Sequence, residues 1–177
     1  METYQINTFD LKQIEPDPPK MTIMGAISFD SQGNIYLGFY HKYISLDLNY
    51  NLRWKYDTQD EDISFRSTPA IDEETGRLYV GTKANEKSKF IAINLSDGSL
   101  AWAYDTGKDV YSSPSLKNGM LYFGSEAMKL HVLTIDGKFV YDINFEEDFT
   151  WASPIIDSQG ILYMGGMRGF VFAVDIN

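Results

Sequence analysis

Two histidines, His41 and His131, are the whole imidazole complement of this 177-residue chain, and cysteine is absent. Thiolate metal sites, iron–sulfur clusters, disulfides and a cysteine nucleophile are thereby excluded. The two histidines fall at non-equivalent places of the repeat described below, so no symmetric metal ring is expected from them, and His131 lies in an apolar run where packing is expected. No Gly-rich phosphate loop, Gly-x-Ser-x-Gly elbow or His-Glu-x-x-His occurs. The acidic run Asp57-Thr58-Gln59-Asp60-Glu61-Asp62 lacks the spacing and the Gly of an EF-hand loop. No catalytic residue and no metal site is therefore assigned. The residue types with binding chemistry are Met24, Arg66, Tyr111 and Trp151, each just before a small-residue segment that recurs along the chain. A cation beside two aromatic rings could stack a planar ligand through π and cation–π contact.

Those four residues are tied together by an internal repeat. A small residue or Pro, an apolar pair, often an Asp, a Gly turn and then apolar-Tyr-apolar-Gly occur four times. The copies run from Gly25-Ala26-Ile27 to Ile35-Tyr36-Leu37-Gly38, and from Ser67-Thr68-Pro69-Ala70-Ile71-Asp72 to Leu78-Tyr79-Val80-Gly81. They return from Ser112-Ser113-Pro114 to Leu121-Tyr122-Phe123-Gly124, and from Ala152-Ser153-Pro154 to Leu162-Tyr163-Met164-Gly165. Tyr36, Tyr79, Tyr122 and Tyr163 are 43, 43 and 41 residues apart. The first three copies continue with a third apolar segment and a fourth that carries Trp54, Trp102 or Tyr141.

Short segments rich in β-branched and aromatic residues, bounded by Gly, Asn or Asp, read as strands, and no window carries a helical period. Four strands per unit of this length predict an all-β propeller, because a lone four-stranded blade cannot bury both apolar faces. One domain over residues 1–177 is expected, with an N-terminal strand and Pro-rich link at 1–23 and blades at about 24–57, 65–107, 110–145 and 150–177. Small residues suit the crowded innermost strand; Trp54, Trp102 and Tyr141 suit the outer strands, where they fill space between blades. The fourth copy stops before a fourth strand, and Tyr4-Gln5-Ile6-Asn7-Thr8-Phe9 alternates like an orphan strand. Three arrangements fit: a closed four-bladed ring clasped by that strand, a half-propeller that pairs with a second copy, or part of a longer chain. An incomplete ring that associates through exposed blade faces is the expectation.

In a propeller the loops into the innermost strand and those between the second and third strands share one face. Met24, Arg66, Tyr111 and Trp151 then ring the axial mouth, where they either bind or plug the axis. His41, Lys42, Lys129 and Arg168 fall on the loops around it. With 25 acidic and 15 basic residues the formal charge is −10, which disfavours nucleic acid and anionic lipid as partners. No apolar stretch is long enough to insert in a membrane as a helix, and no export signal is recognised at the N-terminus.

The segment Ala92-Ile93-Asn94 through Gly98 to Trp102 resembles the tryptophan-docking motif of the quinoprotein-like, or PQQ-repeat, β-propellers, with Asn94 where the motif has Asp. The Ser-Pro-x-apolar-Asp and Leu-Tyr-apolar-Gly elements are similar to the same family's first two strands. The resemblance implies a larger ring of seven or eight blades and three kinds of relative: quinone-dependent dehydrogenases, an outer-membrane-assembly scaffold lipoprotein, and sensor domains. The vicinal Cys pair of many quinone enzymes has no counterpart here, and their Ca²⁺-holding Glu/Asn/Asp set cannot be matched residue by residue. No PQQ or calcium is therefore expected. The expected function is non-enzymatic: a scaffold that binds a protein partner or self-associates. Part of a quinoprotein dehydrogenase and a small-ligand or carbohydrate sensor stand as the alternatives.

Overall fold

The computed structural model describes residues 8–16, 23–145, 151–166 and 168–177. Sixteen strands and two short 3-10 turns make up the regular structure of these residues. Blade 1 is an antiparallel sheet of β1 (Ser28–Phe29), β2 (Ile35–Phe39), β3 (Lys42–Leu46) and β4 (Leu52–Asp57), paired in that order. In blade 2 the innermost strand is split into β5 (Ser64–Phe65) and β6 (Ala70–Asp72), both paired with β7 (Arg77–Lys83); β8 (Lys89–Asn94) and β9 (Leu100–Asp105) follow. Blade 3 comprises β10 (Ser115–Lys117), β11 (Met120–Ser125), β12 (Lys129–Thr134) and β13 (Phe139–Asn144). Blade 4 has three strands, β14 (Ile155–Ile156), β15 (Ile161–Gly165) and β16 (Val171–Asp175).

The recurring Asp and Tyr of the repeat are structural. Asp30 accepts the backbone N–H groups of Gln32 and Asn34, closing the turn into β2, and its other oxygen accepts the Tyr36 hydroxyl at 2.8 Å. Asp157 repeats this in blade 4 with Gln159, Ile161 and the Tyr163 hydroxyl. A carboxylate three residues before the turn glycine thus satisfies turn donors and fixes the hydroxyl of the repeat tyrosine. In each of the first three blades the register shifts by a bulge at one matching place, before Leu46, Ile93 and Leu133.

Alternation along the strands gives each blade two apolar faces. Tyr36, Tyr43, Trp54 and Phe65 pack with Leu78, Val80, Ile91 and Ile93 between blades 1 and 2. Tyr79, Phe90 and Ala92 meet Leu121, Phe123 and Leu133 between blades 2 and 3, with Phe90 stacked on Phe123 at 3.8 Å. Tyr122, Leu130 and Val132 meet Leu162 and Met164 at the next junction. Along the axis a second link runs from blade to blade. The backbone N–H of Ala26 donates to Thr68 Oγ1, that of Thr68 to Ser113 Oγ, and that of Ser113 to Ser153 Oγ, at 3.1, 3.0 and 2.9 Å.

The two ends of the stack differ. The outer face of blade 1, formed by Leu37, Phe39, Ile44 and Leu46, is covered by Phe9, Leu11 and Ile14 from the N-terminal segment. Glu15 holds that segment through Lys42 at 2.8 Å and Lys55 at 3.2 Å. The clasp expected at residues 4–9 lies outside the described residues at 4–7, and its described end goes to the first blade: Phe9 stacks on Tyr50 at 5.6 Å. The far face of blade 4 is bare, with Ile155 66% and Val171 74% exposed. Among the described residues no strand pairs with the outer edge of β16.

Candidate functional site

Each loop that enters a blade delivers one side chain to the axial mouth, and there the chain brings Met24, Arg66, Tyr111 and Trp151 together. The four line a single depression of about 220 Å³. The Arg66 guanidinium carbon lies 5.9 Å from the centre of the Tyr111 ring, within cation–π range, and Tyr111 and Trp151 are 5.8 Å apart and tilted by 34°. The row steps from blade to blade: thioether, guanidinium, phenol, indole. Trp151 is 78% exposed and Met24 51% exposed, while Arg66 and Tyr111 are half-buried between them. Burial pushes the Tyr111 hydroxyl up from its usual value, helped by the neighbouring Asp109 and Glu126 charges. A second depression of about 320 Å³ adjoins the first and shares Met24 and Arg66 with it; Tyr40, Glu61, Asp62, Lys83 and Asn85 complete its walls.

The loop cations expected around this face are placed otherwise. His41 is buried, edge-on to Tyr40 at 4.8 Å and 3.6 Å from Asp57. Lys42 is spent on Glu15 and Asp57, and Lys129 on Asp142 at 3.0 Å. Arg168 is exposed in the β15–β16 connection and does not line the depression. The position after a hairpin places a side chain on the loop face only if nothing within the fold recruits it, and His41, Lys42 and Lys129 are recruited.

Trp54 and Trp102 dock as the repeat implies. Each indole N–H donates to a carbonyl of the next blade, Trp54 to Leu95 at 2.8 Å and Trp102 to Ile135 at 2.9 Å, and each ring lies over a turn glycine, Gly98 and Gly137. Tyr141 does not join them. It holds the same register position, opposite Val132, but is 39% exposed.

A buried polar relay escaped the sequence reading. His131 Nε2 lies 2.8 Å from Ser125 Oγ, and its Nδ1 lies 2.8 Å from Asp142 Oδ1. A carboxylate can only accept, so Nδ1 carries the proton and Nε2 accepts the serine hydroxyl. Burial lowers the His131 pKa, outweighing the Asp142 charge, which keeps the ring neutral. The geometry is that of a hydrolytic triad, but Ser125 is fully buried and its oxygen also accepts the Ala127 N–H. Register alone could have found part of it, since His131 faces Phe123 and Asp142 across the sheet.

Among the described residues no three His, Asp or Glu side chains converge as a metal ion requires.

No described protein family and no curated protein matches the chain. Solved structures do. BamB from Moraxella catarrhalis superposes with a TM-score of 0.70 at 21% identity, over 89% of this chain and 48% of that one. The computationally designed protein Ika4 gives 0.70 at 11% identity, over 91% of this chain and 95% of that one. Quinohaemoprotein alcohol dehydrogenase from Comamonas testosteroni gives 0.70 at 13% identity, over 85% and 33%. The chain spans about half the length of BamB and a third of the dehydrogenase. Repeat, blade packing and structural likeness converge: in fold, this chain is built of β-propeller blades like those of BamB and the quinohaemoprotein dehydrogenase.

Proposed function

We propose that this chain is a non-enzymatic binding module that receives a partner protein at its axial mouth. The row Met24, Arg66, Tyr111 and Trp151 carries the reading, because four blades each contribute one side chain to one exposed surface. Arg, Tyr and Trp are the types that dominate binding energy at protein interfaces, and rings on a rigid scaffold lose little entropy when they engage. The depression of about 220 Å³ takes one or two side chains of a partner; small-molecule pockets usually start near ~300 Å³. Blade docking keeps the row in place without help from a ligand. The likeness to BamB and the scaffold implied by the repeat family favour the same reading.

The test pairs affinity capture with a direct titration. Proteins retained by the wild-type chain are compared with those retained by Tyr111→Ala and Trp151→Ala, with circular dichroism as the check on folding. Loss of a specific retained protein in both variants is expected. Trp151 fluorescence is then followed while PQQ and Ca²⁺ are added together. Saturable quenching by the quinone, with unchanged protein capture, would replace this reading with the quinoprotein one.

A further inference from the structure

The bare face of blade 4 repeats, residue for residue, the faces that are covered elsewhere in the chain. Tyr163 and Ala173 pair across β15 and β16 as Tyr36 and Ser45, Tyr79 and Ala92, and Tyr122 and Val132 do in the earlier blades. Gly165 opposes Val171 as Gly38 opposes Tyr43 and Gly81 opposes Phe90. At the covered junctions that glycine is a socket. A Cβ on Gly38 would meet Phe65 at 2.6 Å, and one on Gly81 would collide with Val110. Phe65 and Val110 are the residues immediately before Arg66 and Tyr111, where the next blade begins. A Cβ on Gly165 meets nothing within 4 Å.

The chain also holds the matching half. Ile35, Leu37, Ile44 and Leu46 of blade 1 stand where Leu78, Val80, Ile91 and Ile93 of blade 2 meet blade 1. Ile23, immediately before Met24, occupies the position of Phe65 and Val110 and is 40% exposed with no socket to fill. The chain matches about half of a larger propeller, so two copies carry the blades of one such ring. We propose that the open face of blade 4 docks the first blade of a second copy of this chain, the two closing head to tail into one ring, with Ile23 of each seated on Gly165 of the other.

Residues 9–15 oppose this closure. Phe9, Leu11 and Ile14 cover the receiving face of blade 1, so they must lift before the second copy can dock. The segment is a built-in competitor, and the fraction of chains with it raised scales the apparent affinity. The new junction also lacks the axial hydroxyl link, because Ala26 stands where the other blades have Thr68, Ser113 and Ser153. It is therefore weaker than the three junctions within the chain, and association is reversible. In the closed ring the axial row is doubled, with two sets of Met24, Arg66, Tyr111 and Trp151 around one mouth.

Light scattering of the full chain across a dilution series tests this, with circular dichroism confirming the fold of each variant. The wild type is expected to pass from the 20.2 kDa monomer to twice that mass as concentration rises. Val171→Asp, at a residue already exposed, places a charge on the docking face and is expected to weaken the dimer about tenfold or more. Glu15→Gln loosens the cover without removing an apolar side chain, and is expected to tighten the dimer about threefold. A wild type and a Glu15→Gln variant that both stay monomeric would overturn the proposal, as would a dimer indifferent to Val171→Asp. A dimer broken by Val171→Asp yet unchanged by Glu15→Gln would instead be two blade-4 faces packed on each other, and overturns the head-to-tail arrangement.

Discussion

The indole of Trp54 lies so close over Gly98 that a Cβ there would sit 2.6 Å from the ring, while the Trp54 N–H reaches past it to the Leu95 carbonyl. The turn glycine is thus required twice, once for its φ of +74° and once for the absence of a side chain. Gly76, with a φ of +67° and nothing within 4 Å, isolates the first requirement. Gly76→Ala should cost about 1 kcal/mol, the penalty for a left-handed L-residue. Gly98→Ala should cost about 2–4 kcal/mol, because the indole must also move. Urea midpoints of the two variants give the comparison; equal losses would mean that the ring gives way freely.

Acid should destabilise the fold through His131. Burial holds its folded-state pKa below the ordinary imidazole value of about 6.5, so on acidification the unfolded chain takes up the proton first. The contribution is complete above about pH 6.5 and falls as pH drops from there towards the lowered folded value. Midpoints of urea unfolding measured between about pH 7.5 and pH 5 should fall steadily for the wild type. In His131→Leu that slope should shrink, at the cost of a lower midpoint throughout, since Ser125 and Asp142 lose their shared partner.

Ser125 should be inert despite its triad geometry. Nucleophilic serines must reach a substrate carbonyl and a pair of oxyanion donors, and this hydroxyl has no exposed surface at all. A fluorophosphonate probe is expected to leave the native chain unlabelled at His131-neutral pH. Labelling of Ser125, mapped by mass spectrometry, would show that blades 2 and 3 open enough to admit an ester.

Repetition made the blades legible. Tyr36, Tyr79, Tyr122 and Tyr163 announce the second strand of every blade, and the residue before each small-residue start reached the axial mouth as its spacing implied. A side chain's own partners were not legible. His41, Lys42 and Lys129 sit at or directly after hairpin turns, but Asp57, Glu15 and Asp142 claim them, and those carboxylates lie 13 to 27 residues away along the chain. The cover over blade 1 was hidden for the same reason. Phe9, Leu11 and Ile14 carry no repeat signature, and only the bare aliphatic face they protect explains where they go.

Asp109 links the row of four to the longest hairpin of blade 2. Its Oδ1 accepts the N–H groups of Ala84 and Asn85 at 2.9 and 2.7 Å and the Ser88 hydroxyl, and it is almost wholly buried. The same side chain stands two residues before Tyr111 and within 3.4 Å of its hydroxyl. Removing it takes the acceptor from the Asn85 N–H, leaves the Ala84 N–H to Ser88 Oγ alone, and frees the wall, Lys83 and Asn85, that flanks Arg66. Asp109→Ala should therefore cost about 3 kcal/mol, as losses of charged acceptors from buried donors do. Asp105→Ala, which removes an exposed acceptor from the Gly107 N–H, should cost about 0.5 kcal/mol. Amide exchange separates a local effect from a global one. If Asp109 organises the mouth, the Ala84 and Asn85 amides lose protection far beyond the global change, and Trp151 emission shifts with them; uniform loss across all blades would make Asp109 a core residue with no bearing on the site.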